Sequence, residues 1–530
     1  MDNRFNSEWI SRSPVRNPLY APSAVIVAII LLAGCSWGDL SPPEEGQAGF
    51  GLCQDCNVLL ISADTLGADH LGVYGYPRNT SPAIDTFSRQ ATVFADAQSP
   101  ASYTLASQMS IFTSLYPHFH KMVFHGDAQV LDHRVSTLAE LLEARGYRTA
   151  WLGLLDAESL DLARGFERGF KEFQACGLGA GCRDEGEDCW DPAMRWLDAL
   201  GPGERFFISL ISFKVHFPYV PAKDSLERFT NQTHPEIIFS LGELLNQTAD
   251  SVVTRPELMF TPESIRDNKA IVENKSLLRT MLLANTYPSF VGPDAVHRDF
   301  CGALYETFWG GVNKTDRGDI AFVEALYDAE IFEFDQGFGR LIARLDERGL
   351  LNRTIIVLTS PHGEAFMEHG DVFHGTTLYN ELIHVPLIIR VPGVWGIAIE
   401  NPVELIDIVP TLLTLLGMEV PGHAQGVNLV PRMTGEALPG RRRYAEHEYH
   451  LKSVQEGDWK LISPLAVGGR DCLLRRGGGE LYNLRNDPGE ERNLIQSNPE
   501  VARWMEQMLV EDIARMEADL PEIPPLCNLK

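Results

Sequence analysis

The chain has 530 residues, enough for one large α/β domain and a smaller one. Its hydrophobic content of 44% is that of an ordinary globular protein. The formal net charge of −27 argues against nucleic acid as a partner, because phosphates need neutralising cations. It also means that an anionic small substrate must be drawn in by local groups rather than by the field of the whole molecule.

In chain order, Arg4, Arg12 and Arg16 precede an apolar run from Ala21 to Ala33. That run is shorter than the stretch of about 20 residues a membrane-spanning helix needs, and it reads as the core of an export signal. It ends in Leu32-Ala33-Gly34-Cys35, which resembles the bacterial lipoprotein cleavage box. Residues 1–35 are therefore expected to be a signal peptide with a lipobox. Cys35 would be the lipidated anchor that tethers an exported protein to the membrane of a bacterial cell envelope. An ordinary cleaved signal or a short anchor is the alternative. Residues 36–56, opening Pro-, Gly- and Glu-rich, read as a tether. The remaining cysteines, Cys53, Cys56, Cys176, Cys182, Cys189, Cys301, Cys472 and Cys527, are even in number and suit disulfides in an oxidising compartment, with the pairing left open.

Asn57–Ser62 is an apolar run that predicts a buried strand, with Asp64 and Asp69 beyond its carboxyl end. A hydroxyl-rich turn, Tyr103-Thr104-Leu105-Ala106-Ser107, leads into another apolar segment. Ser136 to Gly146 carries a capping residue, helical apolar spacing and a terminating Gly, and Tyr147–Leu152 predicts the next strand. Phe206–Ser212 predicts another. Residues 220–315 lack regular patterning and read as an insertion near the active face. From Ala321 to Arg348, Tyr327, Ile331, Phe334, Phe338, Leu341 and Leu345 recur at three- and four-residue steps, the signature of a helix facing a core. Thr354–Thr359 and Pro386–Val391 predict strands. Past residue 430, Trp459–Ile462 and the segment from Glu480 read as strand and hairpin, followed by a helix over Pro499–Met516. The alternation predicts an α/β fold: a mostly parallel sheet sandwiched by helices, with a small C-terminal α+β subdomain. The expected division is a catalytic-type domain over 57–425 and a subdomain over 426–530.

Ligands of α/β sheets gather at the carboxyl ends of strands. A carboxylate there beside a hydroxyl at a helix start suggests a metal-assisted nucleophile. From Asn57 to His120 the chain resembles the opening of the sulfatase branch of the alkaline-phosphatase superfamily, and later segments match in the same order to about residue 500. The resemblance implies that Asp64 is a metal-binding aspartate and that Thr104 occupies the nucleophile position. Lys214 and His216, in Lys214-Val215-His216-Phe217-Pro218-Tyr219, would bind the anionic oxygens of an ester. His362 would be a metal ligand, and His374, in Phe373-His374-Gly375, would contact the leaving or transferred group. It implies one divalent cation, Ca, Mn, Mg or Zn, held by Asp64, Thr104 and His362.

The departures from the family are as informative. The formylglycine motif C/S-x-P-x-R reads Thr104-Leu105-Ala106-Ser107-Gln108. Threonine is no substrate for that modification, so no formylglycine is expected and a true sulfatase mechanism fails. Phosphatase-like and lipoteichoic-acid-synthase-like relatives instead use an unmodified Thr as nucleophile, with Ser107 a lesser substitute here. Thr65 stands where a second acid often follows Asp64, Pro361 replaces an aspartate ligand, and Gly153-Leu154-Leu155-Asp156 replaces a G-K-x-H segment. Glu364 or Asp371 could make up for Pro361. The expected function is a metal-dependent hydrolase or transferase acting on a phosphate, phosphonate or sulfate ester through Thr104. The alternative is a catalytically degenerate binding or structural protein of the cell envelope on the same fold.

Overall fold

Eight strands form the central sheet: β1 (Asn57–Ala63), β2 (Thr92–Phe94), β3 (Arg148–Gly153), β4 (Glu172–Ala175), β5 (Phe206–Ser212), β6 (Thr354–Thr359), β7 (Leu387–Arg390) and β8 (Ile397–Ile399). Their order across the sheet is β8-β2-β7-β6-β1-β5-β3-β4. β7 runs antiparallel to both of its neighbours, and every other pairing is parallel. The computed structural model describes residues 53–519 apart from 124–129, 154–163, 177–188, 233–236, 238–240, 256–268, 270–272, 278–302, 395, 437–439, 448–450 and 465–478. The export segment, Cys35, Leu154, Leu155, Asp156, Cys182, Cys301, Cys472 and Cys527 thus lie outside the described residues. Much of the expected 220–315 insertion does too, though helices Lys223–Leu226 and Leu241–Thr254 fall within it. Cys53 pairs with Cys56 and Cys176 with Cys189. Among the described residues no helix is long and apolar enough to cross a membrane.

β1, β5 and β6 are buried along their whole length, as parallel strands covered on both faces must be. Side chains alternate across the sheet. Leu59, Ile61 and Ala63 enter one core layer, and Val58 and Leu60 the other. Helices α1 (Thr104–Thr113), α2 (Leu138–Glu143), α3 (Trp190–Asp198), α4 (Arg317–Glu347) and α5 (Ile408–Leu415) supply the covering layers. α3 and α4 pack on the first face, and α1, α2 and α5 on the second.

The expected core residues of α4 are all buried. The helix starts earlier than the apolar pattern does, because Asp316 caps it by accepting from the Gly318 amide. α2 likewise starts from Thr137 rather than Ser136. Only Thr137 has a glutamate at the third helical position, and Thr137 and Glu140 form a reciprocal capping box. Gly337 is needed on α4, since a Cβ there would meet the Trp190 ring at 2.0 Å. α4 also caps another element: Asp335 accepts the amides of Ala83 (2.9 Å) and Ile84 (2.8 Å). Ser81, at the N-cap of helix Pro82–Ser88, makes no side-chain cap of its own.

A second sheet, antiparallel and in sequence order, comprises β9 (Arg443–His447), β10 (Leu451–Glu456), β11 (Trp459–Pro464) and β12 (Glu480–Asn483). Val454, Leu461 and Leu481 pack one face against Met505 and Leu509 of α6 (Pro499–Asp519). Ala445, Ile462 and Tyr482 pack the other against Leu378, Leu382 and Ile383, which follow the active-face loop. At that junction Lys460 Nζ lies 2.7 Å from Glu490 Oε1, and both side chains are 1% exposed. Asn380 ties in as well, its amide donating to Glu490 Oε2 (2.7 Å) and its side-chain oxygen accepting from Lys460 (2.9 Å).

Removing one partner of such a pair strands the other charge in the core. Lys460→Met should therefore cost about 3–5 kcal/mol in urea denaturation, and adding Glu490→Gln should recover part of that loss. His369 joins the same junction through Glu381 (2.6 Å) and the Glu490 carbonyl (3.0 Å). Burial disfavours its charge, but the bond to Glu381 outweighs this and lifts its pKa to about 9. Its stabilising effect is then full below about pH 6.5 and lost as pH rises through about 9. His369→Gln should flatten that part of the melting-temperature profile.

Candidate active site

Three loops leave the same edge of the sheet because β5, β1 and β6 are adjacent and parallel, with Ala63 opposite Ser212 and Ser62 opposite Thr359. The Asp64 amide extends the ladder by donating to the Ser212 carbonyl (2.9 Å). The chain then turns through Thr65, whose φ is +64°. Thr65 Oγ1 donates to the Val215 carbonyl (3.1 Å), and the Leu66 amide donates to Ser360 Oγ (3.0 Å). Tyr327 of α4 accepts from the Gly67 amide (3.0 Å) and donates to the Thr65 carbonyl (2.6 Å). The turn carrying Asp64 is thus held from both neighbouring strand ends and from α4.

Asp64, Thr104 and His362 come together. Thr104, the first residue of α1, places its Oγ1 3.2 Å from each oxygen of Asp64 and 2.9 Å from His362 Nε2. His362 Nε2 is 3.4 Å from Asp64 Oδ1, and both of those side chains are fully buried. His362 Nδ1 lies 2.9 Å from the Gly363 carbonyl. A carbonyl only accepts, so that nitrogen carries the ring proton and Nε2 offers its lone pair to the centre.

His374 and His216 border this trio. The rings of His374 and His362 are 4.3 Å apart, and those of His216 and His374 are 5.1 Å apart. His374 Nδ1 is 3.0 Å from Glu364 Oε1, and Glu364 Oε2 accepts from the Tyr219 hydroxyl (2.8 Å). Glu364 is therefore engaged by His374 and Tyr219. His216 Nδ1 lies 2.5 Å from the Phe217 carbonyl. The Nδ1 proton of neutral His216 is thus committed to a backbone oxygen, and Nε2 presents a lone pair.

Lys214 is paired with α4. Its ammonium lies 2.5 Å from Glu330 and 2.6 Å from Glu333 of α4. Two carboxylates hold it. Asp371 Oδ1 accepts from the amide of Val372 (2.9 Å). Pro361, with no side-chain donor, accepts at its carbonyl from Ser99 Oγ (2.5 Å), and Ser99 Oγ also meets Ser107 Oγ at 2.8 Å. Gln108 is fully buried, its Oε1 accepting from Ser62 (3.0 Å).

Burial dominates the electrostatics. Desolvation lifts Asp64 to about 8 against the opposing Thr104 hydrogen bond, with Glu364 adding repulsion. Desolvation lifts Glu364 to about 8 as well. It lowers His216 to about 4, helped by His374, and His374 to about 3. His362 is held well below its usual range for the same reason. The centre is therefore a set of neutral imidazoles and carboxyls without a compensating positive charge.

Those properties fit a divalent cation. A buried carboxyl lacks a counter-charge, and the imidazole nearest to it has its other ring nitrogen fixed on a backbone carbonyl, as metal-ligating histidines do. One carboxylate, one hydroxyl and one imidazole are donors a divalent ion accepts. Among the described residues no group of three or more His, Cys, Asp and Glu side chains is arranged to hold a metal. The donor set here contains only two of those types.

Neither Tyr219 nor Tyr327 is marked as a site residue by the sequence pattern: Tyr219 lies seven residues past β5 and Tyr327 at a core position of α4, and periodicity reports their rings but not their hydroxyls.

The sulfatase family model matches residues 56–418, and a model for the C-terminal part of N-sulphoglucosamine sulphohydrolase matches residues 367–519. Arylsulfatase K of Bos taurus is 31% identical over 490 residues, covering 86% of this chain and 81% of its own length. Steryl-sulfatase of Mus musculus is 27% identical over 548 residues, covering 90% and 82%. Among solved structures, a protein in complex with its substrate D-glucosamine-2-N,6-O-disulfate superposes with a TM-score of 0.64 at 20% identity, covering 90% of this chain and 100% of that one. The phosphonate monoester hydrolase of Agrobacterium radiobacter gives 0.61 at 19%, covering 87% and 96%.

Tyr327→Phe should cost about 1–3 kcal/mol in chemical denaturation, because it leaves the buried Thr65 carbonyl and Gly67 amide without their partner. An unchanged midpoint would show that this bridge does not hold the Asp64 turn.

Proposed function

The chain belongs to the sulfatase family, and from that premise we propose that it is a hydrolase or transferase of phosphate, phosphonate or sulfate esters with Thr104 as its nucleophile. One observation carries the reading: Thr104 Oγ1 lies within hydrogen-bonding reach of both Asp64 and His362 at the carboxyl edge of the sheet. Sulfatase-family proteins generally bind a divalent metal. Here Asp64, Thr104 and His362 would hold it, and it would lower the pKa of the hydroxyl and offset charge on the ester.

The chain's own residues account for the rest. Thr104 Oγ1 is the nucleophile toward sulfur or phosphorus, and its proton leaves to solvent, because Asp64 and His362 Nε2 would be engaged in holding the ion. The new bond joins Oγ1 to the central atom, and the bond to the alcohol oxygen breaks. His374, steadied at Nδ1 by Glu364, stands beside His362 as the group facing the alcohol. Water, or an acceptor alcohol in a transferase, then releases the group from Thr104. Phe373 and Tyr305, with rings 5.2 Å apart, form an aromatic wall next to His374. We place the protein in a bacterial cell envelope, exported and tethered through Cys35, on the strength of the Leu32–Cys35 box.

The degenerate alternative draws support from Pro361 and from the capture of Lys214 by two glutamates. Purified full-length protein should hydrolyse p-nitrophenyl sulfate, a p-nitrophenyl phosphonate or bis(p-nitrophenyl) phosphate. Thr104→Ala should lower that turnover by more than about 10³-fold, while Thr104→Ser keeps part of it. Full turnover in Thr104→Ala would remove Thr104 from the mechanism. Added zinc or manganese should raise the melting temperature of the native protein, and Asp64→Asn should abolish that rise. A native protein with neither turnover nor a metal-induced shift would establish the degenerate reading.

A further inference from the structure

Lys214 follows β5 by two residues and precedes His216 by two, so it stands on the loop that brings His216 beside His374. Its ammonium is nevertheless occupied. Glu330 Oε2 and Glu333 Oε2 lie 2.5 and 2.6 Å away, so two carboxylates answer one cation. The pair is fixed from the other side as well. Glu330 Oε1 accepts the Val220 amide (2.8 Å), and Glu333 Oε1 accepts the Ala222 amide (2.7 Å). α4 thus grips the loop at Lys214, Val220 and Ala222, and draws the lysine's charge into the grip.

Among the described residues, position 108 is a buried glutamine bonded to Ser62 rather than a cation. His216 and His362 have their Nδ1 protons on the Phe217 and Gly363 carbonyls, so their Nε2 atoms offer lone pairs. Among the described residues, three further basic groups also have carboxylate partners: Arg78 and His70 on Asp328, and Lys460 on Glu490.

We propose that Glu330 and Glu333 are specificity-determining residues that neutralise Lys214 and make the site select singly charged esters over doubly charged ones. This rests on the reading of the site as an ester hydrolase and narrows its substrate class. A sulfate monoester, a phosphonate monoester and a phosphodiester each carry one negative charge. A phosphate monoester carries nearly two at neutral pH, because its second pKa is near 6. A cation at Asp64 would answer one of those charges. The second would meet imidazole lone pairs and the carboxylates of α4, where an unpaired charge is costly.

The test separates binding from turnover. Benzenesulfonate and phenylphosphonate have the same shape and differ by one charge at about pH 8.5. As competitors of whichever ester the protein turns over, at one fixed metal content, benzenesulfonate should have an inhibition constant at least about tenfold lower. In Glu330→Gln/Glu333→Gln, whose amide oxygens can still accept from Val220 and Ala222, Lys214 is released and the gap should shrink by about tenfold. Equal or tighter inhibition by phenylphosphonate in the native protein would overturn the inference. So would an unchanged gap in a folded double variant. If that variant does not fold, the native ratio alone decides. Absence of turnover on every ester would instead defeat the hydrolase reading, and fluorescence-monitored binding of the two anions to the native protein would then decide the charge preference by itself.

Discussion

The parallel register of three buried strands is the constraint on which the site depends. β1 lies between β5 and β6, and all three are buried throughout. Their carboxyl ends therefore emerge at one edge, and the residues just beyond must share that edge: Asp64 after β1, Lys214 and His216 after β5, Ser360 and His362 after β6. A slip of one residue would turn alternate side chains to the opposite core layer. Because each of the two layers is packed, the core enforces the register and the register places the site.

Gathering these groups has a cost that the fold meets with specific bonds. Two carboxyls and three imidazoles lie within a few ångströms, removed from water, and burial drives every one of them toward its neutral form. Each nevertheless has a partner: Thr104 for Asp64, Tyr219 for Glu364, and an Nδ1 acceptor for each histidine. These bonds hold the five side chains in place, while Gln108 Nε2 beside them stays buried without a hydrogen-bond partner.

Much of this was legible in the sequence, for a physical reason. Strand and helix periodicities report burial, and burial decides the sheet. Hence the runs at Asn57, Phe206 and Thr354 became adjacent strands, and Tyr327 to Leu345 became a buried stripe. Asp64 and Thr104 stand out as a carboxylate past a strand and a hydroxyl at a helix start, while His362 is marked only by the family resemblance. What periodicity does not report is which polar group faces which. Lys214 reads as an anion binder in one dimension. Only the docking of α4 reveals that Glu330 and Glu333 reach it first. Tyr327 sits at a core position of α4, so its apolar ring was legible, while the hydroxyl that braces Thr65 and Gly67 was not. His216 is a third case: its place after β5 is legible, but which ring nitrogen carries the proton is set by the Phe217 carbonyl.

α4 connects these observations. Along one helix, Tyr327 fixes the Asp64 turn, Asp328 gathers His70, Tyr76 and Arg78, and Glu330 and Glu333 take Lys214. One turn further on, Asp335 caps helix Pro82–Ser88. Its apolar residues bury against the sheet, and its acidic residues lie between them. The same element that anchors the core therefore supplies fixed negative charge to the face where an anionic ester would arrive. A lysine on that face must pair with the helix before it can pair with a substrate. The charge preference of the site thus follows from how the domain is packed, and a change on α4 can alter it without touching Asp64, Thr104 or His362.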